Sequence, residues 1–251
     1  MNRISPATAG LLLLAAVGCT KTGTDNATPT PADWNYEQTN WQSEGAPICT
    51  GQALSPVDID TTKTRKTSLP ALTVNYQSMP LQVLDDGHTI EVLGDGKNAI
   101  TYQGVTYLLK QFHFHRASEH TLNGKAAPME LHLVNQDERT GAILVLSVFL
   151  TNGPQSAILQ QVLANLPTTL GQPNTVAGVS INPADLLPQS KAYYTYAGTS
   201  TASTCTQRLD WILFKNPMPI SAGQEAIFAR KYPNNSRPTQ PLGNREVVEQ
   251  E

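Results

Sequence analysis

From Trp34 onward the chain is built of short runs in which apolar and polar positions alternate. Leu72–Tyr76, Leu81–Leu84, Thr89–Leu93, Thr106–Leu109, Glu130–Val134 and Ile143–Leu150 each read as a strand with an inner and an outer side. Turn residues separate them, as in Asp85-Asp-Gly87 and Gly94-Asp-Gly96. Helical spacing occurs in two places. Ile158, Leu159, Val162, Leu163 and Leu166 recur at that period after Pro154, and a shorter stretch opens at Ser221 with Gln224 three residues on, as in a capping box. No internal repeat or linker interrupts residues 34–251. The pattern predicts one mainly β domain, with a mostly antiparallel sheet and short peripheral helices.

The first residues follow another logic. Arg3 precedes the apolar run Leu11-Leu-Leu-Leu-Ala-Ala-Val17, which is too short to span a bilayer and suits the core of a secretory signal. Ala16-Val17-Gly18-Cys19 resembles a bacterial lipoprotein cleavage box, in which the cysteine is acylated and becomes the new N-terminus. Residues 1–18 are therefore expected to be a signal peptide. Residues 19–33, rich in Thr, Lys, Gly, Asp, Asn and Pro, are expected to be a flexible tether. The expected location is the periplasm or cell envelope, with a lipid on Cys19 holding the protein to a membrane. Ordinary secretion is the alternative.

Composition narrows the partners. With 17 Lys+Arg against 20 Asp+Glu, scattered along 251 residues, there is no electrostatic case for nucleic acid. If Cys19 carries lipid, Cys49 and Cys205 remain as an even pair in an oxidising compartment. A bridge between them would close a loop of roughly 155 residues, worth up to ~5 kcal/mol in the chain-entropy picture. Two separate buried thiols are the other possibility. Oligomeric state is open, a homodimer included.

The candidate chemistry lies in Gln111-Phe-His-Phe-His-Arg-Ala-Ser-Glu-His120 and Glu130-Leu-His-Leu-Val134. Residues two apart on a strand share a face. Gln111, His113 and His115 therefore point one way while Phe112 and Phe114 point the other, and Glu130 and His132 share a face of the next strand. If the strands pair, three imidazoles converge. Three protein nitrogens with a fourth position open is the ligand count of a catalytic zinc site. Gln111 and Glu130 each precede a histidine by two and can hold its second ring nitrogen. A lone His-x-His on a half-exposed strand would carry little weight. The in-phase Gln111, Glu130 and His132 are what point to zinc.

These stretches resemble the core signature of the alpha-class carbonic anhydrases. Further matches are Ser55-Pro-Val-Asp-Ile59, Asp86-Gly-His88, Tyr193-Tyr-Thr-Tyr-Ala-Gly198, Trp211-Ile-Leu, Arg237-Pro-x-Gln-Pro-Leu242 and Asn244-Arg245. The resemblance implies a large, twisted, mostly antiparallel central sheet with zinc at the base of a conical cleft. It implies reversible hydration of carbon dioxide to bicarbonate and a proton, by attack of zinc-bound hydroxide. His113, His115 and His132 match the zinc ligands, and Gln111, Glu130 and Asn235 match the groups supporting them. His88 matches a proton shuttle, and Tyr36 a tyrosine of the cleft's water network. Val134, Val145, Leu209 and Trp211 match the apolar wall for carbon dioxide. Glu119 and Thr201 match an acid–hydroxyl gate, His120 matches a buried structural histidine, and Cys49 with Cys205 matches a disulfide.

The sequence departs from the family at Ser200-Thr-Ala-Ser-Thr204, where Leu-Thr-Thr-Pro-Pro is usual. The gate threonine stays as Thr201 if Tyr196, Gly198, Cys205 and Trp211 anchor the register, while Ala202 replaces a second threonine. Leu54 stands where a glutamine is usual. Asp86 and Glu91 replace amides near His88, and their charge is expected to favour its protonated form. The rival reading is a non-catalytic zinc-containing binding module, such as a surface adhesin, on the same fold.

Overall fold

The alternating runs pair into a sheet of 13 strands in the computed structural model, which describes residues 53–202 and 208–250. Residues 1–18, the tether 19–33, Tyr36, Cys49 and Cys205 lie outside the described residues, so the signal, lipid and disulfide expectations do too. Across the sheet the order is Asn174–Ile181, Met79–Asp85, Ile90–Leu93, Val105–His115, Met129–Gln136, Ile143–Asn152, Arg208–Phe214, Tyr193–Thr199, Val248–Gln250 and Arg65–Thr67. Met218–Ile220 also pairs with Ile143–Asn152, and Thr73–Asn75 with Ala99–Tyr102. Most pairings are antiparallel. Ile143–Asn152 runs parallel to Arg208–Phe214 and to Met218–Ile220, as Val248–Gln250 does to Arg65–Thr67. Parallel neighbours need a crossover, and the chain between residues 152 and 208 includes the helix Ala157–Ala164.

Period-two patterning sorts the central strands into two layers. Phe112, Phe114, Leu131, Leu133, Leu144, Leu146 and Val148 join the larger core, all within 1% of complete burial. Each such side chain stabilises by about 1.5–3 kcal/mol relative to its exposed state. Val145, Phe149, Tyr194, Tyr196, Leu209, Trp211 and Leu213 form a second core on the opposite side. The histidines sit on this second side.

One irregularity keeps both layers in phase. The pairing of Val105–His115 with Met129–Gln136 slips after Val134, which faces Gln111, while Asn135 faces Leu109. Lys110 is the extra residue of this bulge. Strict alternation back from Gln111 would put Leu109 on the histidine side. The bulge instead buries Leu109 with Phe112 in the larger core. Gly94 lies against it: its N–H donates to Lys110 O at 2.8 Å, and a Cβ there would come within 2.1 Å of Leu109 O.

Both predicted helices form. Ser156 caps Ala157–Ala164, which buries Ile158, Leu159, Val162 and Leu163. Ser221 and Gln224 make the expected capping box on Ala222–Ala229. Gln224 is buried and also reaches the other cap, accepting from Ser156 N at 3.0 Å and donating to Ser156 O at 2.7 Å. Among the described residues no helix is long and apolar enough to cross a membrane.

Candidate metal centre

The registers build the site row by row on one face. His113 pairs with His132 on one side and with Glu91 on the other, and His132 pairs with Ser147. The next row runs Gln111, Val134, Val145, Trp211 and Tyr196. His115 faces Glu130. The three imidazoles thus meet with ring centroids 4.6–5.2 Å apart, and one ring nitrogen from each falls within 4.8 Å of the others.

Each ring has its other nitrogen engaged. His113 Nδ1 lies 2.8 Å from Gln111 Oε1, His115 Nδ1 lies 2.7 Å from the Asn235 carbonyl, and His132 Nε2 lies 2.8 Å from Glu130 Oε1. Donation to these acceptors leaves the lone pairs on His113 Nε2, His115 Nε2 and His132 Nδ1. Burial holds all three imidazoles neutral: the His113 pKa lies well below the ordinary value, His115 is lowered to about 4, and His132 is lowered despite Glu130. Three neutral imidazole donors converging, with no fourth protein ligand grouped with them among the described residues, suit a catalytic zinc ion.

Glu119 adds a second sign that a cation belongs here. Its Oε1 accepts from Arg237 N at 2.9 Å, while Oε2 is buried with no hydrogen-bond donor among the described residues. That oxygen lies 3.5 Å from His115 Nε2 and 3.9 Å from His132 Nδ1, the nitrogens facing the centre of the cluster. Burial pushes the Glu119 carboxyl up to about 7, against the opposing effects of His132, Thr201 and Arg237 N. Thr201 is buried, and its side chain is near enough to that carboxyl to work against the rise. Thr199 is engaged elsewhere, accepting from Ser55 N at 3.2 Å. Of these two threonines, Thr201 is the one that acts on the Glu119 carboxyl.

Beside the histidines lies a cavity of about 70 Å³, lined by His113, His132, Val134, Val145, Leu209 and Trp211 with Ile143, Ser200 and Thr201. The four expected wall residues are there. Ile143 was missed, although it lies two residues before Val145 and shares its face. His120 is fully buried, between Glu130 Oε1 and Tyr196 OH at 2.7 Å each. His88 is half-buried in the turn after Met79–Asp85, where Asp86 Oδ1 caps its N–H at 2.7 Å. Its pKa runs opposite to expectation. Burial lowers it, and Asp86 only partly offsets this. Glu91 turns away from that role and accepts from Gln111 Nε2 at 3.0 Å.

Comparison with known proteins agrees with this geometry. The family described as eukaryotic-type carbonic anhydrase matches residues 36–251, so the chain belongs to that family of enzymes. A carbonic anhydrase of Neisseria gonorrhoeae is 36% identical over 98% of both chains. One from Klebsiella pneumoniae is 34% identical over 86% of this chain and 90% of its own. Among solved structures, the alpha-carbonic anhydrase of Thermovibrio ammonificans in complex with the inhibitor sulfanilamide superposes with a TM-score of 0.81 at 36% identity. It covers 86% of this chain and 99% of its own. That of Photobacterium profundum gives 0.79 at 34% identity, covering 86% and 100%.

The acceptor under His132 generates a stability prediction. Burial raises the Glu130 carboxyl, but His120 and His132 outweigh it and hold its pKa well below the ordinary 4.5. A depressed carboxylate contributes fully above its unfolded pKa and loses that contribution as pH falls toward the folded value. In metal-free protein, Glu130→Gln should cost on the order of 3 kcal/mol at neutral pH. The gap from wild type should narrow below about pH 4. Urea midpoints for both chains across that range check it, and a pH-independent gap would contradict it.

Proposed function

We propose that the chain catalyses reversible hydration of carbon dioxide to bicarbonate and a proton at zinc held by His113 Nε2, His115 Nε2 and His132 Nδ1. The observation that carries this is the set of three neutral imidazoles, each with its far nitrogen held by an acceptor, beside a small apolar cavity. Zinc bound there would act as a Lewis acid, allowing water to serve as the nucleophile near neutral pH. Val134, Val145, Leu209, Trp211 and Ile143 offer a nonpolar linear molecule a dry resting place beside the ligands. An ionised Glu119 only accepts, so the Thr201 hydroxyl donates to it and keeps its own oxygen as an acceptor. That oxygen orients the attacking water by taking a hydrogen bond from it, and leaves a lone pair free for the substrate carbon. His88 carries the released proton away. Its lowered pKa makes it a weaker acceptor of that proton and a readier donor to buffer.

Residues 34–251 form the catalytic domain in this reading, consistent with the family match from residue 36. Residues 1–18 direct export, 19–33 act as a tether, and a lipid on Cys19 anchors the enzyme in the periplasm or cell envelope. Cys49 bonds to Cys205, with Tyr36 in the cleft.

Three experiments test these readings. Purified protein should carry one zinc per chain, lost together with carbon dioxide hydration in His113→Ala, His115→Ala or His132→Ala. Stoichiometric absence of zinc in a fully active sample would sink the proposal. In steady-state kinetics, Thr201→Ala should lower kcat and kcat/KM together by about a hundredfold with zinc retained. Thr199→Ala should lower thermal stability instead, and His88→Ala should lower kcat alone, with rescue by imidazole. A hundredfold loss from Thr199→Ala rather than Thr201→Ala would place the gate wrongly. Finally, the protein should enter the detergent phase of a cloud-point separation, and Cys19→Ser should return it to the aqueous phase. A mature N-terminus other than acylated Cys19, read by mass spectrometry, would rule out the anchor.

A further inference from the structure

The three acceptors behind the imidazoles differ in one respect that matters for tautomer choice. His115 is held by the Asn235 backbone carbonyl, which cannot offer a donor in place of its oxygen. His132 is held by the Glu130 carboxylate, which presents only acceptors. His113 is held by the amide of Gln111, whose two ends are nearly isosteric and chemically opposite. Turned by 180°, that amide would offer an N–H to His113 Nδ1 and favour the wrong tautomer, with its proton on Nε2. Of the three supports, this one alone can invert.

Glu91 stands where it stops the inversion. Its Cα pairs with His113 across the strands Ile90–Leu93 and Val105–His115, and its Oε1 accepts from Gln111 Nε2 at 3.0 Å. Burial, with the Asp86 charge nearby, pushes the Glu91 carboxyl up to about 7. Above that pH it is a carboxylate and takes only the NH₂ end of an amide, which turns Gln111 Oε1 to His113. His113 then keeps its proton on Nδ1, and its Nε2 lone pair faces the other two ligands. We infer that Glu91 is a positioning residue of the metal centre: through Gln111 it fixes the tautomer of His113 and so presents Nε2 to the metal. This rests on the zinc reading above, and it adds a residue with no role in that reading. An amide at position 91 would satisfy either orientation of Gln111, so charge type rather than size is the decisive property.

The test has two readouts and a swap. In metal-free protein at about pH 8, ¹⁵N shifts of the His113 ring report its tautomer. Wild type should hold the proton on Nδ1, and isosteric Glu91→Gln should give a mixture. In competition with a chelator, E91Q should bind zinc more weakly in inverse proportion to the Nδ1–H fraction that remains, about twofold for an even mixture. The double variant E91Q/Q111E puts the acceptor-only group directly behind His113 and the amide outside it. It should restore both the single tautomer and the affinity. A single Nδ1–H tautomer with wild-type affinity in E91Q overturns the inference, as does a folded double variant that recovers neither. A wild-type chain that takes up no zinc fails the reading of the site instead, and the tautomer measurement on metal-free protein still decides the role of Glu91.

Discussion

The Glu130 carboxylate accepts four hydrogen bonds in complete isolation from solvent. Oε1 takes them from His120 Nδ1, His132 Nε2 and Ser147 Oγ, and Oε2 from His120 N. An ion in such surroundings persists only when its lone pairs are nearly all engaged, because desolvation alone costs several kcal/mol. The surrounding structure follows from meeting that demand. Met129–Gln136 must lie between Val105–His115 and Ile143–Asn152 so that His132 and Ser147 reach the same oxygen. His120 must return from the loop after His115, and it is held there by Tyr196 OH, which itself donates to Ser55 Oγ at 2.9 Å. Gly198 allows this approach, since a Cβ would lie 2.2 Å from Ser55 Oγ. Trp211 closes the group, 4.9 Å from the His132 ring and 4.7 Å from that of His120.

The late motifs act as struts onto the same region. Arg237 donates from Nη1 to Ser55 O at 2.7 Å while its backbone N–H holds Glu119. Arg245 reaches Leu54 O and Ala53 O and lies over the Tyr196 ring. Residues nearly 200 positions apart are thereby fixed to one another around a buried carboxyl and a buried phenol.

What the sequence made legible was what period two and local capping control. The strand faces of Phe112/Phe114 and His113/His115 follow from alternation, and Ser221/Gln224 from a contact three residues long. The bulge at Lys110 was not legible, because nothing in Leu-Leu-Lys-Gln says where the register slips. It is set by a partner strand and by Gly94 across the sheet. The parallel neighbours of Ile143–Asn152 likewise depend on a crossover through residues that carry no pairing code. Asn235 came only from family resemblance, since a backbone carbonyl that holds a ligand leaves no trace in residue type. The direction of the His88 shift was misread for a related reason. Neighbouring charges can be counted along the chain, whereas burial, the larger effect here, depends on everything packed around the turn.

Asn235 also ties the turn carrying His88, the relay proposed above, to the candidate metal centre. Its carbonyl accepts from His115, its Oδ1 accepts from Arg116 N, and its Nδ2 donates to both His88 O and Phe114 O. One side chain thus spans the turn carrying His88 and the strand carrying two candidate ligands, and Thr89 Oγ1 adds a 2.6 Å bond to Phe114 O. The His88 backbone cannot drift without disturbing the acceptor that sets the His115 tautomer. Proton transfer over a distance depends steeply on the placement of donor and relay, and a loop position would ordinarily leave that placement loose. Here the turn is bonded to the strand at two points, through Asn235 Nδ2 and through Thr89 Oγ1, so its backbone placement is fixed.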